Sequence, residues 1–171
     1  QGSAIAQRAL LRSEAYCSYR EQFDKTLDQH GSMQTVLADI RMNAEAATSL
    51  IFRAYECLDK YSEAKKVASD SGDSAGEEYL GLARILSPLA KIRGSELGVA
   101  VAKRAQQNFG GIGYIKECGI EQLVRDAIIT TIYEGTNDIQ ALDVLRLLRD
   151  GTVAYLIKDA NDNLEKVRDD K

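Results

Sequence analysis

The longest regular pattern along the chain is a stripe of apolar residues: Val36, Leu37, Ile40, Ala44, Ala47, Leu50, Ile51, Ala54 and Leu58. They recur at steps of one, three or four, the signature of a helix with a single buried face. Gly31-Ser32 interrupts the pattern upstream, and Ser32 is placed to cap the helix that follows. Before it, Ile5, Ala9 and Tyr16 predict a first helix over residues 3–26 with Ser3 as its N-cap. Residues 63–76 are polar and small and predict an exposed loop. A long helix from Glu77 to Asn108 follows, with Leu82, Leu86, Leu89, Leu97, Val101 and Ala105 on one face. Pro88 inside it predicts a kink or a boundary. After the turn Gly110-Gly111-Ile112-Gly113, a short helix is expected over Glu121–Ala127 and another from Asn137 to Leu148. Asp150-Gly151 breaks that helix, and Thr152–Asp169 reads as a last, partly exposed one. Long helices with short joins predict an all-α, up-down four-helix bundle. No strand-period alternation is long enough to add a sheet, and there is no internal repeat.

Composition narrows the function classes. Of 171 residues, 44% are hydrophobic and 28% charged, the balance of a folded domain with one sizeable core. A net charge of -4 argues against nucleic acid or an anionic membrane surface as partner. No apolar run reaches the length of a membrane span, and residues 1–20 lack a signal-peptide pattern. Three cysteines in no metal-ligand spacing read as reduced thiols of a cytoplasmic protein. With His30 as the only histidine, a zinc site or a serine–histidine triad has little raw material, so no metal is expected. His30 is expected in a polar turn without a catalytic role, Cys118 as a small loop residue, and Arg125-Asp126 as a buried ion pair bracing the loop that follows.

That loop, Thr131-Ile132-Tyr133-Glu134-Gly135-Thr136-Asn137-Asp138-Ile139-Gln140, carries the candidate chemistry. Gly135 lets the backbone approach a bound molecule closely. A carboxylate in a water-poor cleft can serve as a general base, so Glu134 is the candidate. Thr136 and Asn137 stand where a helix begins, and exposed N–H groups there favour a phosphate. A base beside an anion site suggests proton abstraction on a nucleotide-linked substrate or with a nucleotide cofactor. The same pattern fits a first-turn acid that complements the helix dipole. Pattern alone leaves both readings open.

A resemblance separates them. Gln107-Asn108-Phe109-Gly110-Gly111-Ile112-Gly113-Tyr114, then Leu123-Val124-Arg125-Asp126-Ala127, then Ile132-Tyr133-Glu134-Gly135-Thr136 resemble the C-terminal helical domain of flavin-dependent acyl-CoA dehydrogenases, in order and in spacing. Upstream, Arg20-Glu21-Gln22-Phe23-Asp24-Lys25 is similar to that family's Arg-x-x-Phe-Gly-Lys turn, and Leu37-Ala38-Asp39-Ile40 to the helix after it. The resemblance implies a bundle over residues 1–150, with residues 151–171 as a C-terminal helical extension of the same domain. It also implies an N-terminal helical domain and a middle β-domain that would precede Gln1, so the chain is expected to be a fragment without activity of its own.

Carried over by position, Glu134 matches the base that removes the α-proton of an acyl-CoA thioester, and Tyr133 and Gly135 match positions lining the substrate cleft. Thr136 and Arg20 match contacts to the pyrophosphate of flavin adenine dinucleotide (FAD), with Phe23 against the cofactor. Gln107, Gly110 and Gly111 match a loop on the FAD of a neighbouring subunit, and Asp138 a cofactor-side position that is longer in the family. Asp24 departs from the family's glycine. The implied partners are an acyl-CoA substrate, electron-transferring flavoprotein and further copies of the chain, as a homodimer or homotetramer. The implied location is the cytoplasm, or the mitochondrial matrix in a eukaryote. Competing expectations are a DNA-associated alkylation-response relative, whose role would want a basic surface, an acyl-CoA oxidase, and a helical bundle that only assembles with other subunits.

Overall fold

The computed structural model describes residues 1–68 and 76–169, and these are all-α apart from one small hairpin. Helix α1 spans Gly2–Tyr19, α2 Gly31–Val67, α3 Glu77–Asn108, α4 Ile120–Ile129, α5 Asn137–Arg149 and α6 Val153–Asp169. Strands β1 (Glu21–Gln22) and β2 (Lys25–Thr26) lie between α1 and α2, and short 3-10 turns cover Gly110–Tyr114 and Lys116–Cys118. No described helix is long and apolar enough to cross a membrane.

The hairpin corrects two expectations, a helix running to residue 26 and the absence of any sheet. Helix α1 buries Ala6, Ala9, Leu10, Ser13, Tyr16 and Cys17, and from Ser18 to Lys25 every residue is exposed. Continuing the helix would turn Arg20, Glu21 and Asp24 towards the buried face. Arg20 instead goes extended, with φ -75° and ψ 119°, while its N–H still donates to the Tyr16 carbonyl. The strands then pair antiparallel, Glu21 with Thr26 and Gln22 with Lys25, and the Leu27 N–H donates to the Arg20 carbonyl at 2.9 Å.

Neither predicted cap is used. Gln1 occupies the N-cap of α1 without a side-chain bond, and α2 takes in Gly31, its first carbonyl being that of His30, which accepts the Gln34 N–H. Helix α2 also runs on to Val67, so the first part of the expected loop is helical, with its charged residues on the solvent face. Residues 69–75 of that loop lie outside the described residues. Within the α2 stripe, Cys57 rather than Leu58 takes the buried place after Ala54. Helix α3 matches its expected bounds and passes through Pro88 without a boundary. The carbonyl that proline orphans belongs to Arg84, an exposed residue that solvent can serve.

The chain divides into two compact units. The first comprises Gln1–Ser49 and Lys91–Asn137. Its core is alanine-rich, with Ala6, Ala9, Ala44, Ala102, Ala105 and Ala127 buried around Leu10, Ile40 and Ile120. Small residues let helices approach closely: a Cβ on Gly98 would lie 2.8 Å from the Gly2 carbonyl oxygen. Tyr16 stacks on Phe109 with ring centroids 4.1 Å apart, and the buried Asn108 donates to Ser13 Oγ at 2.7 Å. Arg12 spans from α1 to the turn before α4, donating to the carbonyls of Cys118 at 2.6 Å and Gly119 at 3.2 Å.

The second unit comprises Leu50–Ala90 and Asp138–Lys171. Ala54, Cys57, Leu82, Ala83, Leu86 and Ala90 form its core, and Leu156 of α6 packs against them. The Tyr155 ring sits over Gly81, where a Cβ would come within 2.3 Å of it. Arg53 pairs with Asp159, and Lys158 with Glu78 at 3.0 Å. Asp150 ends α5 and starts α6 by accepting the Thr152 N–H at 3.0 Å.

Candidate functional site

Helix α4 unwinds through a series of short turns. The N–H groups of Thr130 and Thr131 donate to the carbonyls of Ala127 and Ile128, and those of Ile132 and Tyr133 both donate to the Ile129 carbonyl. Thr130, buried, also bonds the Ala127 carbonyl through its hydroxyl at 2.6 Å. The chain then reverses at Glu134 and Gly135, both left-handed, with φ 56° and 84°. Glycine adopts that conformation freely, whereas glutamate is strained there by about 1–2 kcal/mol. The Asn137 N–H donates back to the Thr131 carbonyl at 3.1 Å and closes the loop.

This geometry presents Glu134 outward. Glu134, Gly135 and Thr136 are exposed, and Tyr133 is half-buried beside them. The described residues of this chain supply no water-poor cleft around the carboxylate, so desolvation would have to come from outside them. Nor is the Asn137 N–H free for an anion, because the loop closure uses it. Asp138 lies exposed in the first turn of α5.

A charged group that sequence reasoning missed stands behind the loop. Lys91 of α3 donates from Nζ to Asn137 Oδ1 at 2.8 Å, and the buried Ser95 places its hydroxyl 3.1 Å from the same oxygen. Burial pushes the Lys91 pKa down, while the charge of Glu134 pulls it up. The signal was present in the sequence, since Lys91 falls in phase with the buried Pro88 and Ser95 on a helix face that is otherwise apolar or small.

The other predicted site residues gather elsewhere in the same unit. Arg20, Gln107, Gly110 and Gly111 line one concavity of about 330 Å³, together with Gln22 and Met33. A Cβ on Gly110 or Gly111 would meet nothing within 4 Å, so the backbone there is open to a ligand. Arg20 is aimed by the hairpin, whose closing bond uses its carbonyl. Phe23 is not among the lining residues. It stands 87% exposed at the hairpin tip, left-handed like Asp24 (φ 53° and 64°), the backbone of a type I′ turn. Thr136 and Glu134 do not line the concavity either.

Three further expectations are placed. His30 sits in the turn before α2, its Nε2 2.9 Å from the Gln22 carbonyl oxygen. Cys118 is a half-buried turn residue, and all three cysteines are free thiols. The Arg125-Asp126 pair is corrected: Arg125 is exposed and grips Glu121 one turn earlier, at 2.8 and 3.0 Å. Adjacent residues on a helix point about 100° apart, whereas i and i+4 share a face. Among the described residues, no three His, Cys, Asp or Glu side chains gather to hold a metal ion.

The sequence matches the family described as acyl-CoA dehydrogenase, C-terminal domain, over residues 1–148. The chain belongs to that family. An acyl-CoA dehydrogenase of Bacillus subtilis is 34% identical over 152 residues, covering 89% of this chain and 35% of its own length. The solved butyryl-CoA dehydrogenase of Megasphaera elsdenii is 31% identical with a TM-score of 0.67, covering 86% of this chain and 33% of that one. A solved FAD complex of PigA is 25% identical with a TM-score of 0.62, covering 86% of this chain and 33% of that one. The chain thus spans about a third of the length of the relatives it matches. Its fold is the all-α one of that family's C-terminal domain.

Proposed function

We propose that this domain serves an FAD-dependent acyl-CoA dehydrogenase in which Glu134 is the base that takes the α-proton of an acyl-CoA thioester. The observation that carries the reading is the loop itself. A single carboxylate stands exposed at the apex of a strained, hydrogen-bonded reversal, inside the run Tyr133-Glu134-Gly135-Thr136. Strain of this kind persists where a functional geometry is held by its surroundings. A first-turn acid serving only the helix dipole would need no such backbone.

The donor set supports FAD as the cofactor. The Arg20 guanidinium, the Gln107 amide and the open backbone of Gly110 and Gly111 around one concavity suit a pyrophosphate. Arg20 thus groups with Gln107, Gly110 and Gly111 rather than with Thr136, with which it was expected to share one pyrophosphate. Because Thr136 lies outside that concavity, the two groups fit contacts to two different FAD molecules, as in a dimer or tetramer of the chain. Phe23 and Asp138, both exposed, are read as further cofactor contacts. Bound FAD would supply the acceptor for the hydride that leaves the β-carbon, giving the 2-enoyl thioester. Glu134 holds the α-proton on its carboxylate. Tyr133 and Gly135 border the acyl thioester, and the Glu134 backbone N–H polarises the thioester oxygen as negative charge develops on it. The acyl chain excludes water from the carboxylate once bound. Electron-transferring flavoprotein is the proposed acceptor from the reduced enzyme, and residues 151–171 are read as an extension of the same domain through α6.

The test uses the full-length gene product, its flavin content and the bleaching of that flavin by acyl-CoA. Glu134→Gln is expected to slow bleaching by about 10²- to 10⁴-fold, the usual contribution of a general base. Bleaching of the variant at the normal rate would remove Glu134 as the base. Flavin that no acyl-CoA bleaches in the wild type would overturn the dehydrogenase reading.

A further inference from the structure

A glutamate in the left-handed region relaxes out of it unless its surroundings hold it there. The Glu134 loop is closed by the bond from the Asn137 N–H to the Thr131 carbonyl. That bond fixes the loop only if Asn137 is itself fixed, and its side chain is fastened to α3. Asn137 Oδ1 accepts from Lys91 Nζ at 2.8 Å, and Ser95 Oγ lies 3.1 Å from the same atom. An ammonium offers donors alone, so the amide must turn its oxygen towards Lys91. Lys91 and Ser95 are one turn apart on one face of α3 and both reach Asn137 Oδ1, the single Ser95 hydroxyl proton being shared between that oxygen and the Ile92 carbonyl at 2.9 Å.

We propose that Lys91 and Ser95 are positioning residues that hold the Glu134–Gly135 reversal in place through Asn137. The inference rests on Glu134 being the base. Lys91 is half-buried, and its desolvation offsets part of what the bond to Asn137 contributes to stability. Burial lowers its pKa and the charge of Glu134 raises it. The tie to Asn137 restrains the loop backbone.

Single-turnover flavin reduction by acyl-CoA in the full-length holoprotein tests this, with the substrate dissociation constant and hydrogen exchange of the 131–137 segment measured alongside. Lys91→Met and Asn137→Leu are each expected to slow reduction about 10- to 100-fold, the scale of an ångström-sized misplacement, with substrate affinity unchanged. The double variant should be no slower than either single one, because both remove the same tie. Asn137→Asp keeps the acceptor and should stay near the wild-type rate, and exchange in the loop should rise in Lys91→Met, Asn137→Leu and the double variant, which lose the tie, and not in Asn137→Asp. Ser95→Ala, which leaves every charge in place, should slow reduction about threefold and keeps the question open to measurement if Lys91→Met does not yield folded protein. Normal reduction in Lys91→Met, additive losses in the double variant, or a loss confined to substrate affinity would each overturn the proposal. Glu134→Gln run in parallel separates the two failures: if it is slow while Lys91→Met is normal, only the positioning role falls, and if it is normal the base assignment falls first.

Discussion

Among the described residues, three non-glycine ones, Phe23, Asp24 and Glu134, carry positive φ angles, and two of them form the tip of the hairpin that aims Arg20. A type I′ turn prefers glycine at its second centre position, where Asp24 stands. Replacing an L-residue there removes a left-handed penalty of about 1–2 kcal/mol and adds part of the entropy cost of glycine. Asp24→Gly is therefore expected to stabilise the protein by about 0.5–1 kcal/mol, read as a rise in the denaturation midpoint. A decrease would mean that the aspartate side chain supports the turn. None of these angles was legible from residue types, because aspartate, phenylalanine and glutamate all accept helical or extended backbone. The departure of Asp24 from the family's glycine was the one visible hint.

At the scale of elements, what could be read from the chain was periodicity. The α3 bounds and the buried stripe of α2 follow from apolar spacing, which the core enforces over many turns. The hairpin could not be read that way, since two-residue strands are shorter than any period they could display. Helix phase marks Lys91 as unusual, but its pairing could not be read: its partner Asn137 is 46 residues away, and only tertiary packing brings them together. Packing also explains Gly98, whose missing Cβ lets α1 begin against α3. A methyl group 2.8 Å from the Gly2 carbonyl oxygen must push backbone rather than a flexible side chain. Gly98→Ala should lower stability by about 1–3 kcal/mol, the usual cost of overpacking, despite the better helix propensity of alanine. Thermal melting checks this, and an unchanged melting temperature would show that α1 can shift without loss.

For the whole molecule, acid stability follows from carboxylates held in ion pairs. Glu56 lies between Lys60 and Arg53, at 2.6 Å from each, and these hydrogen bonds draw its pKa from 4.5 to about 2. Asp150 and Glu121 are lowered as well, by the Thr152 hydroxyl and by Arg125. A depressed carboxylate stabilises the fold at pH values above its unfolded pKa and loses that contribution as protons bind to the native state. The melting temperature is thus expected to fall as pH drops from about 4.5 towards 2, less steeply in Glu56→Gln and at high salt. An identical profile for the variant would rule Glu56 out as a contributor.

The first unit is also discontinuous: Gln1–Ser49 must wait for Lys91–Asn137. Arg12 reaches partners 106 and 107 positions further on. Contacts of that separation are slow to form, because a long intervening chain must first be ordered around them. During synthesis the alanine-lined face of α1 therefore leaves the ribosome well before the helices that cover it. Its contacts with α4 wait until residues 120–129 have been made, so the core of the first unit is completed late in synthesis.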